Sequence, residues 1–267
     1  MIPIFQEYRP NYLKAWVLSP FNERYRLRNE RRKFPEPLRI IAFEVLLTDD
    51  HKIALVKNSK AGCTTAAHVL YQYSKGTACT VDVHRPDIGM LQGEPHLRQA
   101  LEALQDPNTL NITTVRHPIA RATSAFTDFF LDKKNLRMDL HIDAMRAFGF
   151  DEGKTDAENF DVFLTYVEHC FSVNRDYTDR HFRPQVTNLA FSHVTYDKIC
   201  RVETLNEDLT EVLRRVGQTE DQLKRFNLGA RNSSKHDRYV PSAAQTDRLI
   251  GLYREDFEKL GYDPEIR

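Results

Sequence analysis

The chain has 267 residues, 41% of them hydrophobic and 28% charged, and its 38 basic side chains are balanced by 38 acidic ones. This composition excludes a disordered chain and predicts a soluble globular protein long enough to bury a sizeable core. Zero net charge gives no reason to expect nucleic-acid binding, and no apolar run approaches the roughly 18 to 20 residues of a membrane span.

The opening, MIPIFQEYRPNYLKAW, lacks the charged-then-apolar order of a secretory signal. The four cysteines, Cys63, Cys79, Cys170 and Cys200, are widely spaced and form no CxxC pair. Together these features predict a reducing, cytoplasmic setting and neither a zinc ribbon nor a disulfide scaffold. Residues 1–38 read as an N-terminal arm: 22–33 is crowded with charge and followed by Pro35 and Pro37. It is expected to be irregular or helical, outside the core, and either a solvated face or a partner surface.

Residues 39–267 read as a single α/β domain. Residues 38–47 and 53–56 are apolar and β-branched around the polar cluster 48–52, which predicts a strand pair. Residues 64–74 have helical spacing, 80–83 form a short strand-like run before His84, and 96–104 read as a helix ended by Asp106-Pro107-Asn108. Residues 110–115 read as a buried strand running into a helix through 130. Strand–loop–helix units in series imply a central parallel sheet flanked by helices. The C-terminal half is mainly helical, with a helix over 160–171 and a last short strand at 199–202. Thr204 with Glu207, and Ser242 with Gln245, match capping-box spacing and predict helices over 205–216 and 243–260.

The segment Lys57-Asn58-Ser59-Lys60-Ala61-Gly62-Cys63-Thr64-Thr65 joins a predicted strand to a predicted helix. Such a loop aims backbone N–H groups and the positive end of a helix dipole at an anion. Ala61 and Gly62 permit close approach, Lys60 adds a point charge, and Thr64 and Thr65 add hydroxyls. It is not a Walker A loop, because its lysine precedes the glycine. A second strand ends in Arg116-His117-Pro118, with Ser124 eight residues on. Arg116 stands at the carboxyl end of the strand, where open α/β sheets bind ligands, and a guanidinium with a hydroxyl suits a terminal phosphate. Arg121 reads as an exposed helix arginine or a second partner for that phosphate, and His117 as the maker of a structural hydrogen bond. Cys63 reads as a small residue beside the anion. Two anion grips without a Walker lysine suit a nucleotide with phosphate groups at both ends.

On these residues the chain resembles the sulfotransferases. SKAGCTT resembles their 5′-phosphosulfate loop and VRHPIARATSAF their 3′-phosphate motif. His181-Phe182-Arg183-Pro184-Gln185 is similar to the H-W-x-P-Q of the carbohydrate branch related to the chondroitin, dermatan, HNK-1 and heparan 2-O enzymes. Tyr196-Asp197, Arg201-Val202-Glu203-Thr204-Leu205 and the closing Leu252-Tyr253, Asp256-Phe257 and Gly261-Tyr262 are similar to further blocks of that branch. The likeness covers about residues 50 to 263, with Ser59 where the family usually has proline and Phe182 where it has tryptophan.

The resemblance implies a P-loop-like three-layer fold. It also implies sulfuryl transfer (EC 2.8.2 type) from 3′-phosphoadenylyl sulfate, with adenosine 3′,5′-bisphosphate as product and no metal. The acceptor implied is a hydroxyl or amine of a carbohydrate or glycoconjugate. Lys60, Ala61, Gly62, Cys63, Thr64 and Thr65 would hold the 5′ end; Arg116 and Ser124 would hold the 3′ end, with Ser234 and Lys235 in a closing loop. Lys60 is the candidate for neutralising the leaving phosphate, and His84 or His181 for the base, since deprotonating an alcohol calls for a group that titrates near neutrality. A nucleotide-binding module that transfers nothing, and a degenerate P-loop kinase, are the competing readings. Acceptor identity and oligomeric state are not legible.

Overall fold

The computed structural model describes residues 4–7, 11–226 and 239–265. In chain order the helices and strands are α1 (Tyr12–Leu18), α2 (Glu23–Glu30), α3 (Glu36–Ile41), β1 (Val45–Leu47), β2 (Ile53–Val56), α4 (Cys63–Lys75), β3 (Leu91–Gln92), α5 (Leu97–Ala103) and β4 (Leu110–Val115). There follow α6 (Pro118–Phe126), α7 (Met138–Arg146), α8 (Asp156–Asn174), α9 (Gln185–Asn188), β5 (Lys198–Arg201), α10 (Leu205–Arg215), α11 (Glu220–Leu223), α12 (Ala243–Leu252) and α13 (Arg254–Leu260). They fall into two compact units.

One unit, drawn from residues 9–115 and 187–232, holds a five-stranded sheet in the order β3-β1-β2-β4-β5. β2, β4 and β5 are parallel, whereas β1 pairs antiparallel with both β2 and β3, so the sheet is mixed and not wholly parallel. The hairpin at residues 48–52 is the predicted one, with the Thr48 hydroxyl donating to Asp50 (2.8 Å). β2 is buried along its whole length, and the core around it includes Leu55, Leu70, Ile112, Cys200 and Leu213. Burial pushes the Cys200 thiol up to about 12. The carboxyl ends of β2 and β4 share one sheet edge, since Val56 is in register with Thr113.

Two predicted strand segments in this unit take another form. The first part of 38–47 is helix α3, because Pro37 in its opening turn favours helical φ and a short apolar run fits either structure. Residues 80–83 join no strand; the Val83 carbonyl, which a ladder would need, instead accepts from the Gln92 side chain (3.0 Å). The charged stretch of the arm is helical in α2, and Arg31 just beyond it is buried with its guanidinium over the Phe43 ring. The chain's one tryptophan, Trp16 on α1, is 59% exposed.

The other unit, from residues 1–8, 116–186 and 233–267, is helical around an aromatic core. Phe126 meets Phe160 edge-on at 4.9 Å, and Phe182 packs on Phe129 and Phe163 (4.9 and 5.2 Å). The α8 start is fixed by a capping box between Thr155 and Glu158, and that of α12 by the predicted pair Ser242 and Gln245. The expected single helix over 243–260 is two, α12 and α13, meeting at Tyr253, whose hydroxyl donates to the Phe182 carbonyl (2.6 Å). After α6 the chain continues as a π-helical turn, Thr127–Leu131.

Candidate active site

The loop after β2 enters α4 through two residues of left-handed backbone. Lys60 takes a left-handed backbone (φ 65°), a strained state for a residue with a side chain, and Gly62 takes φ 78°. Gly62 is the N-cap of α4 and offers no capping side chain, unlike the boxes that open α8 and α12. The loop is anchored from below by Asn58, fully buried, whose amide donates to the Thr114 carbonyl (3.0 Å) and whose oxygen accepts from Asn188 (3.1 Å). Ala61 and Thr65 are buried; Lys60, Gly62, Cys63 and Thr64 are half-buried.

His84 comes to this loop from a segment without regular structure. Its Nε2 lies 2.9 Å from the Thr64 hydroxyl in the first turn of α4. Its backbone N–H donates to Asp82 (3.0 Å), a turn that turns the imidazole outward while Val83 is fully buried. Lys60, Thr64 and His84 therefore belong to one unit, and two of them touch.

Arg116, Ser124 and His181 belong to the other unit. Arg116 is 7% exposed, and Gln185 pairs with both its backbone groups: the amide N–H of Arg116 donates to Gln185 Oε1 (3.0 Å) and Gln185 Nε2 donates to the Arg116 carbonyl (2.8 Å). Gln185 and Val186 in turn donate their backbone N–H groups to Asp256 (2.8 and 2.9 Å). Burial pushes the Asp256 carboxyl up, against the pull of Arg121 and the two amides. Ser124 is half-buried on α6. His117 makes the expected structural hydrogen bond, with the Asp263 carbonyl (3.2 Å). Arg121 departs from its expected exposure: it is 1% exposed and donates to the carbonyls of Arg183 (2.9 Å) and Arg180 (2.7 Å), so it holds the HFRPQ segment.

His181 sits in a buried ionic cluster. Its Nδ1 is 2.6 Å from Asp179, which also meets His141 (3.3 Å) and Arg137 (2.8 Å). Burial opposes ionisation of Asp179, but His181 and His141 outweigh it and hold the carboxyl well below the usual range. Glu7 closes the cluster through Arg137 and Arg183 (3.0 Å each).

Asn58, Gln92, Gln185 and Asp256 escaped sequence reasoning. A signal existed for Asn58, Gln185 and Asp256, which lie inside the quoted 57–65, HFRPQ and D-F segments; none existed for Gln92. Ser234 and Lys235 lie outside the described residues. Among the described residues no group of three or more His, Cys, Asp or Glu is placed to hold a metal ion, and no helix is long and apolar enough to cross a membrane.

No curated protein and no solved structure matches the chain. A family model does: the one described as Sulfotransferase family covers residues 43–263, which takes in the loop after β2, His84, Arg116 and the HFRPQ segment. With most of its length matched by that model, the chain belongs to the sulfotransferase family.

Proposed function

We propose that the chain transfers a sulfuryl group from 3′-phosphoadenylyl sulfate to a hydroxyl of a carbohydrate or glycoconjugate, in a P-loop-like fold, with His84 as base. The observation that carries this reading is the 2.9 Å contact between His84 and Thr64, which sets an imidazole, a general-base side chain, on the strand–loop–helix turn suited to a phosphosulfate. The residues fit such a donor: a left-handed Lys60, a left-handed Gly62 and a helix start without a side-chain cap.

In this reading Lys60, Thr64, Thr65 and the amides of Ala61, Gly62 and Cys63 bind the 5′ end. Arg116 and Ser124 bind the 3′-phosphate, with Ser234 and Lys235 completing the grip. His84 takes the proton of the acceptor hydroxyl as its oxygen bonds to sulfur. Lys60 meets the negative charge gathering on the bridging oxygen as the sulfur–oxygen bond to adenosine 3′,5′-bisphosphate breaks. Most of the acceleration then comes from alignment and charge stabilisation. A cytoplasmic location is part of this proposal.

The test is calorimetry followed by an acceptor screen. Adenosine 3′,5′-bisphosphate should bind more tightly than AMP by at least about tenfold, as one charge-assisted phosphate grip implies, and Arg116→Ala should erase the difference. Equal binding of the two nucleotides sinks the reading. With labelled donor and a panel of oligosaccharides, lipid-linked sugars and small alcohols, His84→Asn should cut transfer by about 10²- to 10⁴-fold while bisphosphate affinity stays within about threefold. A second reading makes His181 the base, because the Asp179–His181 pair has the form of a base with its orienting carboxylate. It is chosen if His181→Asn, and not His84→Asn, removes transfer.

A further inference from the structure

A buried polar relay links the end of β2 to the backbone on both sides of His84. Lys57, the first residue after β2, is 7% exposed, and its ammonium donates to Gln92 Oε1 (3.1 Å). Gln92, on β3 and 1% exposed, directs its amide NH₂ at two carbonyls, that of Val83 (3.0 Å) and that of Arg85 (2.8 Å). The orientation of the amide is settled by chemistry: an ammonium only donates and a carbonyl only accepts, so oxygen faces Lys57 and nitrogen faces the carbonyls. His84 lies between those two carbonyls, in a stretch with no strand or helix to fix it. Its sequence neighbours Asp82 and Arg85 are engaged by the His84 N–H and by Asp87.

We infer that Gln92, held by Lys57, is a positioning residue that fixes the backbone beneath His84 and thereby seats the imidazole against Thr64. Gln92 has no contact with substrate in this role. Its effect on catalysis rests on the reading of His84 as base; its effect on the imidazole does not. A buried side chain with two donors and an acceptor all used is costly to disturb, which makes it a firm support for a segment that has no ladder or helix of its own.

The test uses histidine-¹⁵N-labelled protein, with the His84 ring resonances identified by their loss in His84→Asn. Gln92→Glu keeps the size and the acceptor for Lys57 but has no N–H for the carbonyls. Its His84 Nε2 resonance should move in the same direction as in Thr64→Val, which removes the hydroxyl partner directly. In the transfer assay kcat should fall about 10- to 100-fold, the cost of a small misplacement of a reacting group, with bisphosphate affinity unchanged. A folded Gln92→Glu protein whose His84 resonances match the wild type overturns the inference. If Gln92→Glu does not fold, Lys57→Met, which leaves Gln92 but removes its fixed donor, is read by the same resonance and the same criterion. Should the wild type bind no bisphosphate, the sulfuryl-transfer reading fails, and the His84 spectrum still decides whether Gln92 seats the imidazole.

Discussion

Gly62 has two reasons to lack a side chain. Its φ of 78° is left-handed, and a Cβ there would stand 3.0 Å from Leu205 Cδ2 and 3.2 Å from Val202 Cγ2. Gly62→Ala should cost about 1–3 kcal/mol through backbone strain and crowding, seen as an earlier urea midpoint with an unchanged slope; an unchanged midpoint refutes this account. Lys60, Gly62 and Thr64 stood out in the sequence because cationic, small and hydroxyl groups on a strand-to-helix turn suit an anion whatever the rest of the fold does; His84 was approached through a strand at 80–83 that does not form. Arg121 was not legible. Its helix pattern carries no trace of the two carbonyls it serves, which come from 59 and 62 residues further along the chain.

At the level of elements, α9 begins on a carboxylate supplied by α13. Asp256 accepts the N–H groups of Gln185 and Val186, and Gln185 then pairs with Arg116. Asp256→Ala strands two buried donors, each worth about 1–3 kcal/mol. The expected loss is about 2–5 kcal/mol in chemical denaturation, and a loss below about 1 kcal/mol would show that the two amides find other partners. The Ser242–Gln245 box was readable because a capping box is a local device. Its sequence twin at Thr204 was misleading: the Thr204 hydroxyl donates to Asp208 (2.8 Å) and α10 has no side-chain cap. The break at Tyr253 was hidden for the opposite reason, since its hydroxyl bonds a carbonyl 71 residues away.

Over the whole molecule, the antiparallel pairing of β1 and β2 was legible, because the short link at 48–52 cannot make a parallel crossover, whereas the antiparallel pairing of the two-residue β3 with β1 carried no pattern to read. The acid response follows from Asp179. Its carboxyl is held below the usual range in the folded chain, so it contributes stability above the unfolded value of about 3.9 and loses it progressively as pH falls below that. The thermal midpoint should therefore drop steeply below about pH 4, and Asp179→Asn should start lower and flatten that limb; an equally steep limb in the variant assigns the acid response to other carboxylates. Trp16 has a different use. Because the chain's one indole stands 59% in solvent on α1, emission excited where tyrosine does not absorb watches that helix and little else. A spectral change on adding nucleotide would thus be the optical signature of a rearranged arm. Replacing Trp16 by Phe would darken the background so that an indole introduced at Phe182 reports from the aromatic interior alone.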